Sequence, residues 1–214
     1  MKLRTPEQLS DILDQDLAWR KKEIAAIVVF IHRNKLKPLL LSTALRAGVT
    51  LLYAHWEGFL KRSSEFYLEY VSRQNLRNDQ LADNFLAIAA RKPLSSAGES
   101  TKISQALVMV DFFRSKMSDI GVFPSGDSIR TKSNLSSEVL KEIATTIGID
   151  YSLFATKSVL IDERLVYKRN NVAHGQFLDI DLTDFQELQV EISDMMETWR
   201  TEIQNACIMK RYRI

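Results

Sequence analysis

Cysteine is nearly missing from this sequence: Cys207 stands alone in 214 residues. A lone thiol excludes an internal disulfide framework and suits a reducing compartment. Glycine and proline are scarce as well, with seven and four residues, together under half of the roughly 12% that average usage would supply. So few chain breakers argue against an all-β fold made of many tight turns. Neither sign of charge is in large excess. Lys and Arg number 29, Asp and Glu 27, for a net charge of +2, too small by itself to mark a nucleic-acid binder. The three histidines, His32, His55 and His174, lie far apart, so no zinc-ligand spacing exists and no metal or cofactor is expected. A Gly-rich phosphate loop and a nucleophile elbow around serine are missing too.

Hydrophobic runs long enough for a bilayer are also lacking. Ile24–Ile31 is eight apolar residues, where a span needs about 20. Pro38–Trp56 is longer but carries Arg46, Ser42, Thr43, Thr50 and His55. Both read as buried helix. Met1–Leu17 is charged and amphipathic, without the apolar core and small-residue cleavage site of a secretory signal. The expectation is a soluble, cytoplasmic protein with no membrane partner.

What the chain does have is apolar content, 45% against 26% charged, ample for a buried core and incompatible with disorder throughout. Helical spacing dominates. Thr5, Pro6 and Gln8 form a start signal with a capping box. Leu9, Leu13, Leu17, Ile24 and Ile31 then mark one face to about Arg33. Pro38 opens a second long helix to about Ser72, and the short link makes an antiparallel hairpin. A shorter helix is expected near Asn78–Ala90, a loop over Lys92–Lys102 and a helix over Ile103–Met117. Asp119–Asn134, with Gly121, Pro124, Ser125, Gly126 and Asp127, reads as the longest irregular segment. Ser136–Ile147 reads as a helix ended by Gly148. Ser152–Ala173 reads as mostly helical and stopped by Gly175. The last helix is expected from Thr183, with Gln186 completing a second capping box, to about Lys210. No repeat or linker divides the chain. The expectation is one all-α domain over residues 1–214, with 94–149 as a candidate insertion packed on the core. The acidic pairs Asp14/Asp16 and Asp179/Asp181 read as caps or solvated charges. Cys207, on the apolar side of the last helix near Ile203, reads as inert filler.

One string differs from the rest: Tyr167-Lys168-Arg169-Asn170-Asn171-Val172-Ala173-His174-Gly175. Asn170 and His174, four apart, share a helix face. Arg169 and His174 are about 140° apart on an ideal helix, so they converge only if the helix loosens or two copies face each other. Cleaving RNA without a metal needs a base for the 2′-hydroxyl, charge stabilisation for a phosphorane-like transition state, and an acid for the leaving 5′-oxygen. Histidine suits either proton transfer. Arginine presents a planar donor fork to phosphate oxygens, and asparagine can hold either phosphate or neighbour. One chain offers one such histidine, and a two-fold dimer with the motif at its axis supplies two. The plainer alternative is a helix C-terminus, where cations and histidine favour the negative end of the dipole and glycine is the usual stop. Taken alone, the string favours that cap.

The spacing Arg-Asn-x-x-x-His, read as Arg169, Asn170 and His174, resembles the Arg-x4–6-His motif of the HEPN superfamily of helical nucleases and nucleotide-binding domains. The rest is similar to one bacterial branch, the MAE-like HEPN nucleases. Asp14–Glu23 resembles the opening of that family, Leu51–Lys61 its second-helix motif, and Ser133-Asn134-Leu135 and Asp162–Gly175 further segments. The resemblance implies a HEPN-type helical bundle on a long antiparallel hairpin, with additional helices. It implies a homodimer whose motifs meet in a cleft between subunits. The implied activity is metal-independent endoribonuclease cleavage of an RNA substrate. The products would be a 2′,3′-cyclic phosphate and a 5′-hydroxyl, and the setting a toxin–antitoxin or anti-phage defence system with a cognate antitoxin or defence partner.

On this resemblance Arg169, Asn170 and His174 are the catalytic candidates. Glu57 is a candidate support for the arginine or an ordinary buried ion pair, and Asn171 a second support. Lys168 and Tyr167 are RNA-binding candidates, Tyr167 by stacking on a base or else by packing. His55, between Tyr53 and Trp56, reads as a core histidine, and His32 as a helix-end residue. Arg20-Lys21-Lys22, Lys61-Arg62 and Lys210–Arg213 read as solvated faces that can also meet phosphates. Two alternatives keep the fold without cleavage: an RNA- or nucleotide-binding HEPN module, and a regulatory, antitoxin-like partner.

Overall fold

The structure, a computed structural model, describes residues 3–98, 102–123, 129–131 and 134–214. Among those residues the chain is all-α: no strand forms, and β contact is limited to two isolated bridges, Arg77–Ile120 and Leu81–Arg213. No helix among them is long and apolar enough to cross a membrane. The expected irregular segment lies partly outside the described residues, as do Pro124, Ser125, Gly126, Asp127 and Ser133.

Helices α1 (Pro6–Arg33) and α2 (Pro38–Ser72) form the long hairpin. The α1 start is the expected box: Thr5 Oγ1 accepts from Gln8 N at 3.3 Å, and Gln8 Oε1 accepts from Thr5 N at 3.3 Å. Leu9, Leu13, Leu17, Ile24 and Ile31 are all buried, one stripe of steps of four and seven. Helix α9 (Leu182–Ile208) packs on both arms of the hairpin through Phe185, Leu188, Ile192, Met196, Trp199 and Ile203. A Cβ at Gly48 would sit 2.8 Å from the Phe185 ring and 3.1 Å from Ile31 Cδ1. Glycine there lets α1, α2 and α9 meet at one level. Beyond Trp56, α2 buries a broad face that includes Ser63 and Ser64, while Lys61 and Arg62 stay exposed. These two hydroxyls satisfy themselves on the helix carbonyls of Phe59 (2.6 Å) and Leu60 (2.7 Å).

The middle of the chain departs from the expected elements in several places. The expected Asn78–Ala90 helix is split into a 3₁₀ turn (Asn78–Gln80) and α3 (Asp83–Ala89). The expected loop over Lys92–Lys102 contains α4 (Arg91–Gly98), which continues from Ala90 through a Leu94 N–H to Ala90 carbonyl bond of 3.0 Å. Pro93 is tolerated because it falls in the first turn, where no intrahelical acceptor waits for its missing N–H. Helix α5 (Ile103–Ser115) stops two residues early and buries none of its residues. Helix α6 (Ser137–Ile147), capped by Ser136 and ended by left-handed Gly148, sinks Leu140, Ile143, Ala144 and Ile147 into the main core. Residues 94–149 therefore hold two unlike parts, one joined to the core and one standing off it.

The C-terminal third begins with α7 (Ser152–Ala155). A π-helical stretch, Leu160–Val166, then leads into α8 (Tyr167–Ala173). The cap of α9 is Asp181 rather than the expected Thr183/Gln186 box: Asp181 Oδ2 accepts from Thr183 N (2.8 Å) and Asp184 N (3.2 Å). A carboxylate two residues earlier outcompetes the threonine because it accepts from two orphan donors and carries full charge at the positive helix end. The basic tail folds back, with Tyr212 buried and its carbonyl accepting from Ala82 N at 3.0 Å.

Candidate active site

The motif sits on α8, which packs along α2 and is entered through the π-helical stretch. There the Tyr167 N–H reaches back five residues to the Asp162 carbonyl. A wider turn of this kind rotates everything after it relative to a plain α-helix. Leu160, Ile161, Leu165 and Val166 anchor it in the core. Asp162 also fastens it to the start of α6, accepting from Ser137 N at 2.7 Å.

Arg169 is half-buried. Its guanidinium lies over the Tyr53 ring of α2, 4.1 Å from the ring centre, and donates to Asn170 Oδ1 at 2.8 Å. Asn170 Nδ2 in turn donates to Asn134 Oδ1 at 3.4 Å. The Tyr53 hydroxyl accepts from Leu135 N at 2.8 Å. Burial pushes the Tyr53 phenol up to about 12, against the Leu135 N–H and with help from the Glu57 charge. The ring is therefore neutral at any ordinary pH and offers its face to the cation. Glu57, one turn further along α2, bears on the Tyr53 phenol. Asn171 turns back on its own helix, donating to the Tyr167 carbonyl at 2.7 Å.

His174 ends α8. Its backbone N–H donates to the Asn170 carbonyl at 2.9 Å, and the residue is exposed. Gly175 follows with φ +72°. Gln176 N donates to the Asn171 carbonyl (2.9 Å) and Gly175 N to the Val172 carbonyl (3.1 Å). That pair is a full Schellman stop. The cap reading of the string is thus structurally correct, and it is compatible with chemistry: the cap is what presents the imidazole at a defined place. Just beyond, Arg46 of α2 donates to the carbonyls of Gln176 (2.9 Å) and Leu178 (3.3 Å).

The RNA-binding candidates differ from each other. Tyr167 is exposed. Lys168 is engaged within the chain, its ammonium paired with Asp184, which also takes Arg164 at 2.7 Å. Burial works to raise the Asp184 carboxyl, but hydrogen bonds from Lys168 and Arg164 outweigh it and hold the group below its usual range. His55 lies in the core as expected, 3.0 Å from Glu23 Oε2. His32 meets Gln186 at the end of α1. Among the described residues no group of three or more His, Cys, Asp or Glu is placed to hold a metal ion.

A family model for an MAE-like HEPN family matches residues 9–212. The chain belongs to this HEPN family. Among curated proteins and solved structures no significant match is found. Two of the family-like segments, Asp14–Glu23 and Leu51–Lys61, come together in space. Arg20 reaches the His55 carbonyl (3.3 Å) and Asp16 (2.9 Å). Motif reading alone did not find Tyr53, Asn134 or Arg46 as neighbours of the HEPN motif. The available signals were that Arg46 and Tyr53, seven apart, share a face of α2 with Glu57, and that Tyr53 and Asn134 fall in the family-like segments Leu51–Lys61 and Ser133-Asn134-Leu135.

Proposed function

We propose that this HEPN chain is a metal-independent endoribonuclease that acts as a homodimer in the cytoplasm, in a toxin–antitoxin or anti-phage setting. The observation that carries the reading is the pairing of a half-buried, ring-backed Arg169 with an exposed His174 at a rigidly capped helix end. One His174 takes the proton of the RNA 2′-hydroxyl. The 2′-oxygen then attacks phosphorus and forms a bond to it. Arg169 stabilises the extra negative charge on the phosphorane oxygens, and Asn170 holds Arg169 through its 2.8 Å bond. The P–O5′ bond breaks and the 5′-oxygen leaves with a proton from His174 of a second copy. Each proton transfer contributes about 10²- to 10⁴-fold. Tyr167 and Phe177, on either side of the motif residues, are exposed at 58% and 86%, as side chains closed over by a second copy would be when alone.

The test is incubation of purified protein with total RNA in EDTA. New 5′-hydroxyl and 2′,3′-cyclic phosphate ends are expected, and they should vanish in His174→Ala. Wild-type cleavage by His174→Ala, or cleavage restored only by added magnesium, overturns the mechanism. The ring-backed Arg169 would serve equally well in a second reading, a non-catalytic RNA- or nucleotide-binding module that makes no use of His174 as acid or base. RNA binding without any new ends would select it.

A further inference from the structure

The HEPN motif is short, but the two halves of its chemistry are not held by α8 alone. Arg46 and Tyr53 lie seven residues apart on α2, two turns along the same face. Each grips one end of the motif. Tyr53 carries the Arg169 guanidinium on its ring at 4.1 Å. Arg46 holds the chain leaving His174, with one guanidinium nitrogen on the Gln176 carbonyl (2.9 Å) and the other on the Leu178 carbonyl (3.3 Å). We infer that Arg46 and Tyr53 are positioning residues, with α2 serving as a template that sets where Arg169 and His174 stand relative to each other.

The need for such a template follows from the local geometry. Helix α8 is seven residues long and ends at His174. It is preceded by a π-helical stretch, so it inherits no long, stiff α-helical register. Arg169 has a long side chain with many rotamers, and freezing it costs conformational entropy unless something backs it. The face of the Tyr53 ring does that, its centre 4.1 Å from the guanidinium. The Tyr53 ring is itself fixed by its hydroxyl, which accepts from Leu135 N at 2.8 Å. The neighbouring Asn134 meets Asn170 at 3.4 Å, so one short stretch braces both the ring and the amide. At the other end, Gly175 has left-handed φ and no contact within 4 Å of where its Cβ would be. The Schellman bonds use the N–H groups of Gly175 and Gln176, and the carbonyls of Gln176 and Leu178 need a separate hold. Arg46 supplies that hold with a two-pronged contact that a lysine cannot reproduce.

This inference rests on the nuclease reading for its kinetic consequences, but its geometry can be tested separately. The variants are Tyr53→Leu, Tyr53→Phe, Arg46→Lys and Arg46→Met. The kinetic readout is steady-state cleavage of a fluorescent mixed-sequence oligoribonucleotide. The independent readout is side-chain NMR of the Arg169 Nε–H and the His174 ring. The Arg169 proton should be shifted upfield by the Tyr53 ring current. It should stay so in Tyr53→Phe and move to an ordinary arginine position in Tyr53→Leu. Tyr53→Leu should lower kcat on the order of 100-fold, the cost of a misplacement near 1 Å, with KM little changed. Tyr53→Phe should recover most of that rate even though it melts lower, because it keeps the ring and loses the Leu135 bond. That split separates positioning from stability. Arg46→Met and Arg46→Lys should both displace the His174 ring signals and lower kcat.

An Arg169 proton without an upfield shift in the wild type, or equal kcat for Tyr53→Leu and wild type, overturns the role of Tyr53. His174 signals unmoved in Arg46→Met overturn the role of Arg46. If Tyr53→Leu does not fold, the wild-type shift and the Phe variant still decide. If the wild type cuts no RNA at all, the nuclease reading fails, and the NMR shifts alone decide whether α2 templates the motif.

Discussion

Two arginine–histidine clusters flank α2, and they have opposite fates. Arg20 and His55 lie where α1 meets α2. Arg20 is 7% exposed, and its guanidinium lies 4.6 Å from the centre of the Trp19 ring and pairs with Asp16 at 2.9 Å. A Cβ on Gly58 would come 2.7 Å from its terminal nitrogen, so glycine leaves the notch that receives it. His55 is sealed beneath, with burial lowering its pKa against the pull of Glu23. Arg169 and His174 use the same two residue types and also an aromatic ring. There an amide and an aromatic ring are among the groups that hold the cation, and the histidine is exposed. Residue type therefore does not separate lock from site. Burial and a neutralising carboxylate make the first cluster a hairpin lock. The second cluster is shallower: Arg169 is half-buried on the Tyr53 ring and His174 is exposed.

The contrast can be broken most directly by removing each arginine. Arg169→Ala should lower RNA cleavage by about 10²- to 10³-fold, as removal of a charge-stabilising donor does, with little change in melting temperature. Arg20→Ala should do the reverse, costing about 3 kcal/mol of stability because Asp16 is left without its partner in a largely buried site. Urea unfolding with matched m-values checks it, and a loss under 1 kcal/mol would remove the lock. The two glycines sharpen the comparison next. Gly58→Ala forces Arg20 from its notch, a strain of about 1–3 kcal/mol. Gly175→Ala meets no atom but must adopt φ +72°, which costs about 1–2 kcal/mol. Thermal melts rank the pair, and the Gly175 variant should also cut more slowly because its cap holds His174.

The smallest effects are in pH. His55 has a lowered pKa in the fold, so the unfolded chain binds the proton more readily. Its contribution is present above its ordinary value of about 6.5 and is lost as pH falls below it. Asp184 is also lowered, and its contribution persists until pH falls below about 3.9. Stability should therefore decline in two separate acid windows, the upper absent in His55→Gln and the lower in Asp184→Asn. A single window unchanged by either substitution would contradict both assignments.

The bounds of α1 and α2 were legible because they rest on local signals: Thr5 with Gln8, Pro38, and apolar steps of four and seven. Gly148 and Gly175 marked helix ends for the same reason, since both need a positive φ. Helix α4 was not legible. Three serines, a proline and a glycine look like a loop until Ala90 offers its carbonyl and Pro93 falls harmlessly into the first turn. The Thr183 box lost to Asp181 because two acceptable caps stood close together and the charged one won. The motif residues Arg169, Asn170 and His174 were visible as a string. Their setting was not, because Asn134 is 36 residues from Asn170, and Arg46 is 130 from Gln176.

Helix content, the long hairpin and the stop at Gly175 follow from the amino-acid order alone, since capping, periodicity and glycine geometry act within a few residues. Which arginine is sealed and which stays half-buried near an exposed histidine, and the contacts of α2 with both ends of the motif, were decided by packing. Those depend on which faces of distant helices meet, and desolvation and ring contacts exist only once they have met.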